Sequence, residues 1–224
     1  MSDICPVKLF HGTSSIFLTD ILKSGLGAAR IAEEWGILEM ARVIYPMVRD
    51  QFADHNMFGT FEKMVNQECR GLMNFQHGDV YVSVCRKTAA GYPAGRRWGS
   101  ELLTSTLTFL QKLAETKNPR IVKDLYRKHT RLFDLVSIPS SPLLIELDGI
   151  PYESLLMESG EPVSEEVKSN IQKLSSAPWD EDDMPLVNFR LKQVVPKEGM
   201  KIYLVDVKKY GNFVFEYELH PLAV

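Results

Sequence analysis

The sequence predicts a domain of the α+β class. In the first half, apolar residues recur at helical spacing, most clearly from Ile37 to Val48. From Pro139 onward, short runs of β-branched and aromatic residues predict strands instead. No internal repeat and no linker-like segment separates the halves, so strands from both are expected to join in one sheet.

Length, charge and cysteine content narrow the class of protein. The 224 residues are 45% hydrophobic and 25% charged, which suits one well-cored domain. A net charge of −3 indicates neither nucleic acid nor membrane as a partner. The three cysteines are too few and too widely spaced for a disulfide framework or a metal site, and they favour a reducing compartment. With neither a signal peptide nor an apolar run of about 18 residues, we expect a cytoplasmic protein with no membrane contact.

The first half begins with a short strand, Pro6 to Phe10, and a helix, Ile16 to Leu26, that ends at Gly25. The hydroxyl of Thr13 or Ser14 is expected to cap that helix. Residues 28–73 then read as a helical insertion, in which Pro46 predicts a kink or a break.

The middle of the chain returns to a strand and then to helices. Gly78 to Val84 predicts the second strand, and Thr88 to Tyr92 predicts one or two helical turns. A second helical segment covers about 100–136 and opens with Ser100 as its cap. Its part from Arg120 to Val136 has a basic face, which is either a solvated surface or a phosphate-contacting one.

The last part of the chain is mostly strand. The predicted strands are Ser141 to Gly149, Val187 to Val194, Lys201 to Val207 and Phe213 to Leu219. A weakly helical segment, Glu161 to Lys173, and an acidic loop, Asp180 to Asp183, lie between the first two.

Two polar segments stand where the first two strands are predicted. His11-Gly12-Thr13-Ser14 follows an apolar run and forms a polar, backbone-flexible corner. In the second segment, Gly78-Asp79-Val80-Tyr81-Val82-Ser83 leads to Tyr92, and the two tyrosines lie eleven positions apart.

This combination of motifs resembles the ADP-ribosyltransferase superfamily, in the branch of diphtheria toxin and the poly(ADP-ribose) polymerases. The resemblance covers residues 7–92 well and residues 140–205 more loosely. It implies a single domain over residues 1–224, with a split β-sheet core and the two helical segments at about 28–73 and 100–136.

The resemblance also implies NAD as co-substrate and no metal. Members of the family break the bond between nicotinamide and ribose, which leaves an oxocarbenium-like sugar as in glycoside hydrolysis. In this sequence the backbone of Gly12 would hold the nicotinamide amide, while Tyr81 and Tyr92 would cover the two faces of its ring.

The same resemblance implies that His11, with Thr13 or Ser14, would bind the ribose hydroxyls. Arg96 belongs to a basic group beside the expected pocket and would contact the pyrophosphate, because arginine forks suit phosphate oxygens. The family's amide-binding serine is replaced by Ala89 here.

The family's catalytic glutamate, at the start of a late strand, is replaced by Asn188. Asparagine can hydrogen-bond a ribose hydroxyl but is no general base. The resemblance therefore names His11, Tyr81 and Asn188 as the catalytic set: either Asn188 suffices for a mono-transferase with the base supplied elsewhere, or another carboxylate serves. Glu101, Glu146 and Glu216 are the alternatives, and a domain that binds NAD without turnover is a further one.

The resulting expectation is a mono-ADP-ribosyltransferase that releases nicotinamide and modifies a macromolecular acceptor. The basic residues Arg86, Lys87, Arg96 and Arg97 favour nucleic acid slightly over protein as that acceptor. The expected setting is an intracellular toxin or defence effector, with an antitoxin or regulatory protein as a possible partner. A catalytically silent NAD- or ADP-ribose-binding module and an RNA 2′-phosphotransferase-like enzyme are the alternatives.

Overall fold

The structure of the protein is a computed structural model, which describes residues 3–28, 31–70, 73–96, 98–116, 119–176, 187–211 and 214–223. Nine α-helices and nine strands lie within these ranges. The helices are α1 (Leu18–Ser24), α2 (Ile31–Glu34), α3 (Ile37–Phe52), α4 (Phe58–Val65), α5 (Arg86–Ala94), α6 (Glu101–Ala114), α7 (Pro119–Lys128), α8 (Thr130–Ser137) and α9 (Glu165–Ser175). The strands are β1 (Leu9–Ser14), β2 (Cys69–Arg70), β3 (Met73–Asn74), β4 (Tyr81–Ser83), β5 (Pro142–Leu147), β6 (Leu155–Met157), β7 (Asn188–Leu191), β8 (Met200–Gly211) and β9 (Val214–Pro221).

The chain forms two compact units. The sheet unit comprises residues 1–29, 79–99 and 141–224, and the helical unit comprises residues 30–78 and 100–140. The helical unit is thus built from the two segments whose periodicity predicts helices, together with a two-stranded ribbon of β2 and β3.

Seven of the described strands form one antiparallel sheet in the order β6-β7-β4-β1-β5-β8-β9. β1, from the start of the chain, pairs with β5 along its whole length, so the two halves of the sequence do share a sheet. The α+β class is therefore confirmed. Against this sheet, helix α5 packs through a cluster of Phe10, Ala89, Ala90, Leu144 and Val205.

The first strand differs from its prediction in a way that matters for the site. It was expected at Pro6 to Phe10 with a polar corner after it, but β1 runs from Leu9 to Ser14. His11, Gly12 and Thr13 lie inside the strand because the apolar β5, Leu143 to Leu147, pairs residue by residue with this segment. Tertiary pairing here overrides the low strand propensity of glycine.

Several element boundaries also moved. α3 continues through Pro46, an exposed residue, so the predicted break does not occur. α5 begins at Arg86 and continues past Gly91 and Pro93, which were expected to close it. The helix predicted from Arg120 to Val136 is divided into α7 and α8 at His129.

The end of the predicted helical insertion, 28–73, is wrong, because Cys69–Arg70 and Met73–Asn74 pair as β2 and β3, whereas the predicted helix stop and caps agree with the structure. α1 ends at Gly25, whose φ of 91° is in the left-handed region. Ser100 caps α6, and Ser14 accepts the capping bond from Ile16 N in the turn before α1. The acidic loop from Asp180 to Asp183 lies outside the described residues.

Candidate functional site

The sheet is nearly divided between β1 and β4. These neighbouring strands share one register pair, Phe10 with Ser83, whereas β1 shares six with β5 on its other side. The next pair in the same register would be Gly12 with Tyr81, and the pairing does not extend to it. The pairing of the two strands thus ends beside Gly12, and we call this place the gap.

The peptide groups of Gly12 point towards this gap. Ser15 N donates to Ser141 O, so the residues of β1 whose hydrogen bonds face β5 are the odd-numbered ones. Because bonded and non-bonded pairs alternate along an antiparallel ladder, the N–H and C=O of Gly12 face β4. One amide donor and one amide acceptor thus lie side by side where the ladder with β4 has ended.

His11 fills part of the gap with its ring. Its Nδ1 lies 2.8 Å from the carbonyl oxygen of Tyr81, the group that a longer ladder would have used. A carbonyl oxygen only accepts, so Nδ1 carries the proton and donates. Burial is the main effect on this imidazole and lowers its pKa, while the bond to Tyr81 partly opposes the shift.

The neutral ring of His11 therefore presents its Nε2 as an acceptor. Among the described residues, no hydrogen bond to Nε2 is formed. This nitrogen can receive a hydrogen bond from a hydroxyl, such as one of a ribose.

Gly12 is required by helix α5 as well as by the gap. A Cβ at this position would lie 1.9 Å from the carbonyl oxygen of Ala89 and 2.6 Å from Cδ of Pro93. The backbone of α5 thus lies directly on β1. The sequence suggests that Gly12 lets a ligand approach the backbone. The structure shows a second reason for glycine here, which is that helix α5 packs closely on β1.

Thr13 and Ser14 are buried, with exposed fractions of 4% and 1%. Ser14 accepts its capping bond at 3.5 Å from Ile16 N. Gly99, at a φ of 64°, packs against the backbone of both residues. Both residues are therefore buried at the end of β1, and the Ser14 hydroxyl takes part in a helix cap.

The two tyrosines lie on the elements that flank the gap. Tyr81 opens β4 and supplies the carbonyl bonded to His11, and its ring is half-buried. Tyr92, on α5, is 37% exposed. The guanidinium of Arg96 lies 4.3 Å from the centre of the Tyr92 ring, so one ring face is already covered by a cation. Arg96 is thus folded onto the helix that carries Tyr92.

Asn188 lies in the same sheet and has a carboxylate beside it. It opens β7 and pairs with Ser83, which in turn pairs with Phe10. Two strand spacings separate Asn188 from β1, which is about 10 Å. Its Nδ2 donates to Oε1 of Glu158 at 3.2 Å.

Glu158 was not among the residues that the sequence suggested. It follows directly on β6, whose Met157 pairs with Phe189, so Glu158 falls opposite Asn188. Burial raises the pKa of this half-buried carboxyl, and the bond from Asn188 partly offsets the increase. No local motif marks the residue, because its position depends on the pairing of two strands some 30 residues apart.

The three glutamates named from the sequence lie on three different elements. Glu101 opens α6 in the helical unit. Glu146 is 7% exposed on β5 and is paired with Lys8 at 2.7 Å and with Lys201 at 3.7 Å. Glu216 is exposed on β9 and pairs in register with Lys209.

Two other features are separate from this gap. Asp206, Glu218 and His220 lie close enough on β8 and β9 to share a cation, and Lys208 already forms ion pairs with both carboxylates. A surface cavity of about 400 Å³ belongs to the helical unit, and it is lined by Glu33, Leu38, Glu39, Arg42 and Val43.

No helix within the described ranges is both long and apolar enough to cross a bilayer. Comparison of the chain with protein-family models, with curated proteins and with solved structures finds no match.

Proposed function

We propose that the protein is an NAD-dependent mono-ADP-ribosyltransferase. The observation that carries the proposal is the gap between β1 and β4, with the N–H and C=O of Gly12 facing it. The carboxamide of nicotinamide has one carbonyl acceptor and one N–H₂ donor. It can therefore take the two bonds that a continued strand would have made with Gly12.

The neighbouring residues suit the rest of the ligand. The Nε2 acceptor of His11 is adjacent to Gly12, as a nicotinamide riboside would require of a ribose-binding group. Tyr81 and Tyr92 supply aromatic surface on the two elements beside the gap. The proposed fold is that of the ADP-ribosyltransferases, with the near-separation of β1 from β4 as its split.

The proposed acceptor is a macromolecule, with nucleic acid favoured over protein. Helix α5 and the turn after it carry Arg86, Lys87 and Arg96 and no carboxylate. Cations in this number beside a reaction site attract a phosphate backbone. A toxin or defence effector of the cytoplasm, held in check by a regulatory protein, is the setting we propose.

The test is incubation of the purified protein with NAD labelled in the adenylate part, with and without a cell lysate. We expect release of nicotinamide and transfer of label to material sensitive to nuclease and resistant to protease. His11→Gln keeps a polar side chain but displaces the acceptor nitrogen, and we expect it to lower release about 10- to 100-fold, the effect of one or two lost hydrogen bonds. Intact NAD after prolonged incubation with lysate would contradict the proposal.

A binding module without turnover is the second candidate, because Asn188 stands where the family has its glutamate. It predicts saturable binding of NAD or ADP-ribose in calorimetry, together with no nicotinamide release. His11→Gln would then weaken binding while no product forms with either protein.

A further inference from the structure

The pair formed by Asn188 and Glu158 joins two strand ends on one side of β4. Asn188 opens β7 and Glu158 follows β6, and the amide of the first donates to the carboxylate of the second at 3.2 Å. Residues that lie opposite one another on neighbouring strands form a row across the sheet. This row contains Glu158, Asn188, Ser83 and Phe10, and Phe10 is the residue of β1 that pairs with β4. The carboxylate thus aligns with the point where the gap begins.

We propose that Glu158 is the catalytic carboxylate of this protein and that Asn188 is the residue that positions it. This inference rests on the proposed function. It assigns to two side chains the work that a single glutamate performs in the family, with the carboxylate displaced from β7 to the end of the neighbouring strand.

The hydrogen bond fixes the division of roles. With its N–H₂ group directed at Glu158, Asn188 keeps its amide oxygen as an acceptor for a ribose hydroxyl. A carboxylate has two oxygens with about four lone-pair positions, so the bond from Asn188 does not by itself prevent Glu158 from accepting a proton.

The transfer step balances with these groups. The bond between C1′ of the ribose and the ring nitrogen of nicotinamide breaks, and its electron pair neutralises the pyridinium. A lone pair on the acceptor forms the new bond to C1′, and the acceptor's proton passes to the Glu158 carboxylate and then to water.

The environment of Glu158 is suited to a base. Half-burial raises the pKa of the carboxyl, and a base whose pKa lies closer to the working pH is the more efficient one.

The experiment compares nicotinamide release and acceptor labelling by the wild-type protein, Glu158→Gln and the control Glu153→Gln. Glu153 is exposed and lies five positions earlier in the chain. Glutamine at position 158 can still accept the bond from Asn188, so the fold should be kept. We expect Glu158→Gln to lower kcat about 10²- to 10⁴-fold, the usual contribution of general acid–base catalysis. The KM for NAD should change less than threefold, and the control should match the wild type.

A rescue variant separates chemistry from structure. Asn188→Glu in the Glu158→Gln background reverses the pair and returns a carboxylate to the strand, and we expect it to recover at least tenfold in kcat. The acid limb of its pH profile should also move, because the base now lies on another strand.

The outcomes distinguish this inference from the proposed function. A wild-type protein that releases no nicotinamide would overturn both. An active wild type with an equally active Glu158→Gln would overturn the role of Glu158 alone. If Glu158→Gln lowers the melting temperature as well as kcat, and Asn188→Glu does not restore activity, the pair has only a structural role.

Discussion

Replacement of Gly12 by alanine tests the packing of α5 on β1. The new Cβ would lie 1.9 Å from the Ala89 carbonyl oxygen, whereas ordinary contacts begin at 3.4 Å, so the helix or the strand must move by about 1.5 Å (3.4 − 1.9). The obstacle is backbone, which cannot rotate away as a side chain could. Overpacking of this kind costs about 1–3 kcal/mol of unfolding free energy.

In a chain of this length, each kcal/mol lowers the melting temperature by about 2–4 °C, so Gly12→Ala should lower it by about 2–12 °C. Gly91→Ala is the matched control. Gly91 lies on α5, the helix that packs on Gly12, and a Cβ there would lie at an ordinary 3.6 Å from Phe215. Alanine is also the better helix former, so the control should be neutral or more stable by up to about 1 kcal/mol.

The assay is thermal unfolding followed by circular dichroism, with NAD affinity measured by calorimetry. Because Tyr92 moves with α5, we expect Gly12→Ala to weaken NAD binding at least tenfold even at temperatures where the variant is folded. A melting temperature equal to that of the wild type would refute the close approach of α5 to β1. A lowered melting temperature with unchanged NAD affinity would refute the place of Gly12 in the ligand site.

Three further predictions concern single side chains. Burial lowers the pKa of His77 to about 4, so the free energy of unfolding should be greatest above about pH 6.5 and decrease by up to about 3 kcal/mol as the pH falls towards 4. In urea unfolding at several pH values, His77→Gln should make this decrease smaller. An unchanged pH dependence of the unfolding free energy would contradict the prediction. Tyr92→Ala should weaken NAD binding about 2- to 10-fold through loss of ring stacking, with Tyr92→Phe close to the wild type in calorimetry. Ser100→Ala removes the bond that Leu103 N donates to the capping hydroxyl at 3.3 Å and should cost about 1 kcal/mol in unfolding measurements, whereas Ser176→Ala, at a helix end, should cost little.

Much of the fold could be predicted because local signals were strong. The caps at Ser100 and the glycine stop at Gly25 come from hydroxyl and backbone chemistry that acts within a few residues. The strand from Pro142 to Leu147 is marked by the apolar run Leu143 to Ile145 and by Leu147 after Glu146. Such features depend little on what the rest of the chain does.

Elements that depend on distant partners were harder to predict. β6, Leu155–Met157, has three residues and no alternation of its own, and it exists because β7 pairs with it. The extension of β1 over His11 to Ser14 likewise depends on β5, more than 120 residues later in the chain. Strand pairing is decided by cross-strand contacts, which no local propensity contains.

The residues of the candidate site also divide into those that a local motif identifies and one that depends on the pairing of distant strands. Motif spacing brought out His11, Gly12, Tyr81 and Tyr92, all of which lie on or beside the gap in the described structure. Whether these residues bind NAD is the proposal to be tested. Glu158 could not be found in this way, because its position follows from the register of β6 on β7.

Hydrogen bonding of the Gly12 peptide groups gives an energetic reason to expect a ligand in the gap. Gly12 is buried, and the ladder that should satisfy its N–H and C=O on the β4 side ends one pair too early. A buried amide group without a partner costs about 1–3 kcal/mol, so a hydrogen-bond partner on this side of β1 is favourable for the N–H and C=O of Gly12. The Tyr81 carbonyl accepts a hydrogen bond from the side chain of His11. A ligand that supplies both a donor and an acceptor matches the two groups of Gly12, which is why a primary carboxamide is the group we expect in the gap.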